Sequence, residues 1–143
     1  MCEKVDLFRA RTGGYATCRV PGIVVTTEGA ILAYGEARKS TGGDWGAIDI
    51  LMCRSTDRGE IVVSPPELKN PSETVAVQFH DGRLMLNIRH AGEPHRRAVS
   101  FSPDGISDWS PVRFDETLFE PVCMGSIVRL SERPPGASMI LAI

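Results

Sequence analysis

Two charged residues near the start of the chain have the types and spacing for proton transfer on an anionic substrate. Arg19 stands just before Pro21 at the start of a predicted strand, and Asp44 follows two glycines in a loop 25 residues later. A guanidinium holds a carboxylate through paired hydrogen bonds, and a carboxyl group gives a proton to a leaving oxygen. Because residues before a proline favour an extended backbone, we expect the chain to enter its strand extended here. The pair therefore predicts a site at one end of the strands, in which an arginine binds a carboxylate and an aspartate acts as the acid.

Asp44 has a competitor for the role of acid. Asp49 lies in a predicted strand among apolar residues, whereas Asp44 precedes Trp45 in the loop. A general acid needs a raised pKa, which we expect burial of Asp44 against Trp45 to supply. Its spacing from Arg19 favours Asp44, and leaves Asp49 to support the loop or the polar groups of a substrate. The other interpretation of Asp44 is a turn aspartate, which is common after two glycines.

Three further charged residues lie at the ends of predicted strands. Arg38 ends the strand before the Asp44 loop, and is either a site residue or the salt-bridge partner of Glu36. Glu73 begins a second run of strands, and Arg89 follows it by 16 residues. For Glu73 the alternative is an ordinary charge on an edge strand.

The elements that must position these residues are short strands that recur along the chain. Helical periodicity is nearly absent, and β-rich runs alternate with turns. Corresponding turns lie 53 residues apart, from Gly29 to Gly82, and 47 apart, from Ser55 to Ser102. Four strands in each period of about 40–50 residues are typical of a β-propeller blade.

The sequence therefore predicts an all-β fold, a β-propeller built of four-stranded antiparallel blades. About two and a half blades are expected, with Trp109 opening the last strand of the second blade. The predicted blades cover 19–64, 71–114 and 122–143.

Two Ser-x-Asp turns close hairpins in the first and second repeats. An aspartate in such a turn accepts hydrogen bonds from the backbone amides of the turn and fixes the hairpin. We expect these turns to be structural. Their residues are Ser55, Asp57, Gly59, Ser102, Asp104 and Trp109.

Composition excludes several classes of protein. The 143 residues carry a net charge of −2 and are 42% hydrophobic, which predicts a globular domain and neither a nucleic-acid nor an anionic-membrane partner. No apolar run approaches the ~20 residues of a membrane span, and the first residues lack a signal-peptide core. We expect a cytoplasmic protein as given, or a secreted or periplasmic one if an upstream segment is missing. The four cysteines are far apart, so structural thiols are expected, with no metal and no cofactor.

Several segments resemble one enzyme family. The Arg19–Pro21 run, the Glu36–Arg38 run and the Asp44 loop are similar to the start of exo-α-sialidases, which are six-bladed β-propeller neuraminidases with Asp-box (BNR) repeats. The Ser-x-Asp turns resemble that Asp box, although neither copy is intact. The segments 81–90 and 97–102 also resemble the family closely, but they match a region beyond its middle.

The resemblance implies a role for each residue of the set. Arg19 and Arg89 would bind the carboxylate of sialic acid, and Arg38 would contact the O4 side of the sugar. Asp44 would be the general acid and base. Glu73 would activate a tyrosine nucleophile, which in this family replaces the second carboxylate of other glycosidases.

The same resemblance implies that parts are absent. The order of the matches predicts an internal deletion near 61–70, and the third arginine and the tyrosine nucleophile, expected beyond Ile143, have no counterpart. Family activity is hydrolysis of terminal α-linked sialic acids, with a sialylated glycoconjugate or free sialic acid as partner. We expect little activity from this chain alone. One alternative is a non-catalytic Asp-box module for carbohydrate or protein binding, and another is self-association through open strand edges.

Overall fold

The computed structural model describes residues 4–56, 60–62, 68–105, 107–129 and 140–142. Within these ranges every helix or strand element is a β-strand. The strands are β1 (Thr17–Val25), β2 (Ile31–Arg38), β3 (Ile48–Arg54), β4 (Glu60–Val62), β5 (Ser72–Gln78), β6 (Leu84–Arg89), β7 (Arg96–Ser102), β8 (Arg113–Phe119), β9 (Ser126–Val128) and β10 (Ile140–Ala142).

The strands form three antiparallel sheets in chain order. The first sheet has the order β1-β2-β3-β4, the second β5-β6-β7-β8, and β9 pairs with β10. Each four-stranded sheet is a meander in which neighbours in sequence are neighbours in space. The predicted all-β fold class is confirmed, and the two meanders are consistent with partial β-propeller blades. The exact blade limits and the proposed deletion near 61–70, part of which lies outside the described residues, stay predictions.

The main core lies between the first and second sheets. Alternate residues of a strand point to the same face, so each strand contributes every second side chain to this layer. Nearly all of these side chains are fully buried. The cluster consists of Leu32, Tyr34, Ile50 and Met52 from the first sheet, Leu68 from the connection, and Ala76, Leu84, Leu86, Ile88 and Ala98 from the second.

The opposite face of the second sheet is also covered. Val77, Met85 and Val99 form a smaller cluster there, against which Ile127 of β9 packs. The second sheet is therefore packed on both faces, by the first sheet on one side and by the third on the other. By contrast, Ile23 and Val25 on β1 are 67% and 60% exposed.

The start of the fourth strand of the second sheet differs from the prediction. Trp109 does not open β8, which begins at Arg113. Ser110 hydrogen-bonds Phe101 through both its amide and its hydroxyl, but Pro111 has no amide to continue a ladder. Trp109 instead packs its ring against the main core.

Two sequence-level points concern thiols and membranes. Cys18 is half-buried, Cys53 is buried and Cys123 is exposed, whereas Cys2 lies outside the described residues. Among the residues that the structure describes, there is no helix with the length and apolar character to cross a membrane.

Candidate functional site

The strand register brings the predicted site residues to one end of the two sheets. In an antiparallel pair the start of one strand lies beside the end of the next. Arg19 at the start of β1 is therefore paired with Glu36 near the end of β2. In the same way Ser72 at the start of β5 is paired with Arg89 at the end of β6. Since β5 contacts β1 and β2, these four strand ends meet.

Among these four strand ends, the two that are strand starts, those of β1 and β5, are bulged. The register shifts between Arg19 and Gly22 in β1, and between Ser72 and Val75 in β5. Val20 has a φ of 47° and Glu73 a φ of 39°, so the predicted extended entry into β1 is wrong at Val20. Positive φ in a β-branched residue is unfavourable, and such residues cluster at functional sites.

Glycines make room for the bulge in β1. A Cβ added at Gly35 on the neighbouring strand would lie 3.2 Å from the carbonyl oxygen of Arg19, and one at Gly22 would lie 2.2 Å from Cζ of Tyr34. The bulge and the buried ring of Tyr34 thus occupy space that any side chain at these positions would fill. The segment that carries Arg19 is held by close packing as well as by pairing.

A cavity of about 330 Å³ opens at this end of the sheets. Five of the six predicted site residues line it, which are Arg19, Arg38, Asp44, Glu73 and Arg89. The others around it are Val20, Glu36, Trp45, Asn70 and Ser72. The lining carries three guanidinium and three carboxyl groups, so its formal charge at pH 7 is zero.

Asp44 is the point where two of the arginines converge. Its Oδ1 accepts hydrogen bonds from Nη1 of Arg38 at 2.8 Å and from Nη1 of Arg19 at 3.1 Å. The loop itself is anchored, because Arg38 also donates to the carbonyl of Gly43 at 3.2 Å and Asn70 donates to that of Asp44 at 3.4 Å. The predicted meeting of Arg19 and Asp44 therefore takes place, as a direct ion pair.

The expected burial of Asp44 against Trp45 is wrong. The side chain of Asp44 is 74% exposed, and Trp45 is 69% exposed beside it. The hydrogen bond and the charge of Arg38 lower the pKa of Asp44, with smaller contributions of the same sign from Arg19 and Arg89. Without bound substrate, Asp44 is therefore an ionised partner of arginines and not a protonated acid.

Arg38 is the salt-bridge partner of Glu36, as one of the two interpretations from the sequence has it, and it also lines the cavity. Its Nη2 and Nε donate to Oε2 of Glu36 at 2.6 and 3.0 Å, while its Nη1 reaches Asp44. Glu36 is 1% exposed and Arg38 is 7% exposed. The buried, charge-assisted pair with Glu36 therefore fixes the Arg38 guanidinium, which in turn binds the Asp44 carboxylate.

Glu73 and Arg89 form the second half of the site. Nε of Arg89 lies 3.3 Å from Oε2 of Glu73, and Nη1 of Arg89 donates to the hydroxyl of Ser72. The backbone amide of Glu73 donates to Oε1 of Glu36 at 2.9 Å, which joins this half to the first sheet. The second sheet thus adds one carboxylate and one guanidinium to the cavity.

Asp49 is the predicted site residue that the structure places elsewhere. It does not line the cavity, and its Oδ2 accepts a hydrogen bond from the hydroxyl of Tyr15 at 2.8 Å and lies 3.3 Å from Nζ of Lys39. These contacts tie β3 to the segment before β1 and to the residue after β2. The arrangement fits support of the loop, one of the two roles foreseen for Asp49.

The described residues of the two Ser-x-Asp turns do not line this cavity. Asp104 accepts a hydrogen bond from the amide of Ser107 at 2.9 Å, and the Ser102 hydroxyl accepts one from Gly105 at 2.8 Å. In the first repeat Ser55 accepts a hydrogen bond from the amide of Ile31 at 3.0 Å, while Asp57 and Gly59 lie outside the described residues. Asp104 lines a separate polar cavity of about 210 Å³, which shares no residue with the site.

Sequence reasoning did not assign a functional role to Glu36, Asn70 or Ser72. For Glu36 a signal was present, since residues i and i+2 of a strand share a face and Glu36 stands two before Arg38. Asn70 and Ser72 carry no such signal, because they reach the cavity through the packing of the second sheet on the first. Among the described residues no group of three His, Cys, Asp or Glu side chains is arranged to hold a metal ion.

Comparison with known proteins gives one partial match. Over 66 residues the chain is 35% identical to the sialidase of Micromonospora viridifaciens. Over this stretch the chain is similar to a sialidase. The match covers 46% of this chain and 10% of the relative, so the chain spans only a small part of the length of the curated relative it matches. No family model matches the chain.

Proposed function

We propose that this chain is a sialidase-like protein whose cavity binds the carboxylate of a terminal sialic acid. The observation that carries the proposal is the convergence of Arg19, Arg38 and Arg89 with Asp44 and Glu73 in one cavity, drawn from two sheets and from 70 positions of sequence. The similarity to a sialidase over 66 residues supports it independently. Guanidinium groups suit a carboxylate because their donors match its two oxygens.

In the proposed complex Arg19 and Arg89 hold the carboxylate of the sugar. Arg19 is available for this because its present partner, Asp44, is exposed, and water and salt screen exposed ion pairs. A substrate carboxylate that takes Arg19 from Asp44 also removes one charge that lowers the pKa of Asp44. The incoming anion thereby moves Asp44 toward the protonated state that a general acid needs.

The chain's own tyrosines argue for little turnover by these 143 residues alone. There are two, and neither lines the cavity. The hydroxyl of Tyr34 is buried and accepts the amide of Ala76 at 3.1 Å, while Tyr15 donates to Asp49. A nucleophile of the type used by sialidases is therefore lacking in the cavity as described, although binding needs only the arginines.

The experiment is a ligand-detected NMR titration of free sialic acid with the wild type, Arg19→Ala and Arg83→Ala. Arg83 is a matched control, since it is an exposed arginine that pairs with an aspartate, Asp81, at 2.8 Å. We expect binding by the wild type and Arg83→Ala and loss in Arg19→Ala. Equal binding by all three proteins, or binding by none, contradicts the proposal and favours the alternative of a non-catalytic Asp-box module.

Turnover is tested separately with a fluorogenic sialoside. We expect the wild-type chain to release little or no fluorophore. Release that is abolished by Asp44→Asn would overturn the proposed low activity and would show that the chain completes its own site.

A further inference from the structure

We propose that Glu36 is a positioning residue that fixes Arg38 and the Glu73 bulge relative to each other, and so sets the geometry of the cavity across two sheets. The inference rests on the proposed function, since it assigns Glu36 to the same site. Glu36 touches no substrate in this account and acts through its two partners.

Both oxygens of the Glu36 carboxylate are engaged. Oε2 accepts Nη2 and Nε of Arg38 at 2.6 and 3.0 Å, and Oε1 accepts the backbone amide of Glu73 at 2.9 Å. The side chain is 1% exposed. A fully buried carboxylate without partners is very costly, so these three donors also hold Glu36 itself in place.

The two partners of Glu36 each hold a further site residue. Arg38 uses its remaining Nη1 for Asp44, and the carboxylate of Glu73 faces Arg89. A continuous path therefore runs from Asp44 through Arg38, Glu36 and Glu73 to Arg89. No other described carboxylate bonds to a side chain of the first sheet and to a backbone amide at the start of β5.

The bulge at Glu73 explains why a partner is needed there. Its φ of 39° lies in the left-handed region, which non-glycine residues adopt only when the surroundings hold them. A charge-assisted bond from the amide of that same residue favours this backbone conformation over the extended one. Loss of the bond lets β5 relax, and the Glu73 carboxylate then leaves Arg89.

Only a carboxylate of this length satisfies all three donors. In Glu36→Gln the amide group must turn its NH₂ either to Arg38 or to the amide of Glu73, so one link is lost. In Glu36→Asp the charge stays, but the side chain is one methylene shorter and cannot reach both partners. Glu120 is the matched control, because it is equally buried, pairs with Arg97 at 2.7 Å, accepts the amide of Val122 at 2.7 Å and does not line the cavity.

The test follows the backbone amide of Glu73 and the Nε–H groups of Arg38 and Arg89 by ¹⁵N NMR in the wild type, Glu36→Gln, Glu36→Asp and Glu120→Gln. In the wild type we expect the Glu73 amide to show slow hydrogen exchange and a through-bond coupling to the Glu36 carboxyl carbon. Glu36→Gln should shift the Glu73 and Arg89 signals and weaken sialic acid binding at least about tenfold, with less loss in Glu36→Asp. Glu120→Gln should lower stability yet leave those signals and the affinity near wild type.

The outcomes separate this inference from the proposed function. Absence of the coupling in the wild type, which needs no variant to fold, overturns the role of Glu36. So does a Glu36→Gln variant in which Glu73 and Arg89 keep their signals, or a Glu120→Gln variant that moves them equally. Signals that move as expected in a protein that does not bind sialic acid support the positioning role and overturn the proposed ligand.

Discussion

Arg19 and Asp44, 25 positions apart in sequence, form a direct ion pair with 3.1 Å between Nη1 and Oδ1. The cation that would bind a substrate carboxylate is thus already occupied by a carboxylate of the protein. Both side chains are half or more exposed, at 50% and 74%, so water screens the pair and a ligand can separate it at little cost. In the proposed complex Asp44 is therefore an internal competitor of the ligand for Arg19.

Removal of this competitor should raise affinity. In Asp44→Asn the formal charge of the lining changes from zero to +1, and Arg19 no longer faces an anion. We expect free sialic acid to bind about two- to fivefold more tightly than to the wild type, as measured by calorimetry. A weaker complex would mean that Asp44 contributes to ground-state binding and does not compete with the ligand.

The titration of Asp44 depends on Arg38. The hydrogen bond and charge of Arg38 lower the pKa of Asp44 below its ordinary value, so Arg38→Ala should raise that pKa toward an unperturbed aspartate. Because the folded-state pKa is depressed, the stability that this interaction contributes is present above the unfolded pKa of Asp44 and is lost as the pH falls through the folded one. The ¹³C shift of the Asp44 side-chain carboxyl group, measured against pH in the wild type and in Arg38→Ala, tests this. An unchanged titration midpoint would contradict it.

Packing beneath the β1 bulge makes Gly22 intolerant of a side chain. The Cβ of Gly22→Ala would lie 2.2 Å from Cζ of the buried Tyr34, so ring or strand must shift. We expect a loss of about 1–3 kcal/mol in the free energy of unfolding in urea. Gly42→Ala is the control, since its Cβ would meet nothing within 4 Å, and an equal loss in both variants would refute the close contact.

The buried pair of Arg97 and Glu120 should dominate local stability in the second sheet. Both side chains are 0% exposed, with 2.7 Å between Nη1 and Oε2. Glu120→Ala leaves an uncompensated buried cation, so we expect about 3–5 kcal/mol of destabilisation by urea unfolding. Asp81→Ala breaks an exposed pair and should cost far less, because water screens that pair. Similar values for the two variants would contradict this ranking.

Much of the fold follows from local sequence. Short β-rich runs bounded by Gly-containing turns mark β2, β3, β6 and β7. The limit of β8 could not be read in the same way. Tryptophan is common in strands, which favours a strand at Trp109. Whether Pro111 interrupts the hydrogen-bond ladder depends on which partner strand lies beside it.

The candidate site was predictable by residue type and not by geometry. Arg19 and Asp44 stand out as charged residues at a strand start and in a loop, whereas Glu73 and Arg89 stand out by their resemblance to sialidase motifs. The exposure of Asp44 and the bulges at Val20 and Glu73 have no signal in the sequence, and the bridge through Glu36 arises from the packing of one sheet on another. That bridge joins residues 37 positions apart, for which a single sequence holds no pairing information. Self-association through strand edges likewise stays a prediction.

The most direct test of the account is a calorimetric titration of the wild-type chain at pH 7 with sialic acid and, in parallel, with its methyl ester. The ester keeps the sugar but has no charge for the arginines of the cavity to bind. We expect saturable binding of sialic acid and no binding of its methyl ester. Equal binding of both ligands, or no binding of the acid, would contradict the claim that Arg19 and Arg89 form a carboxylate site.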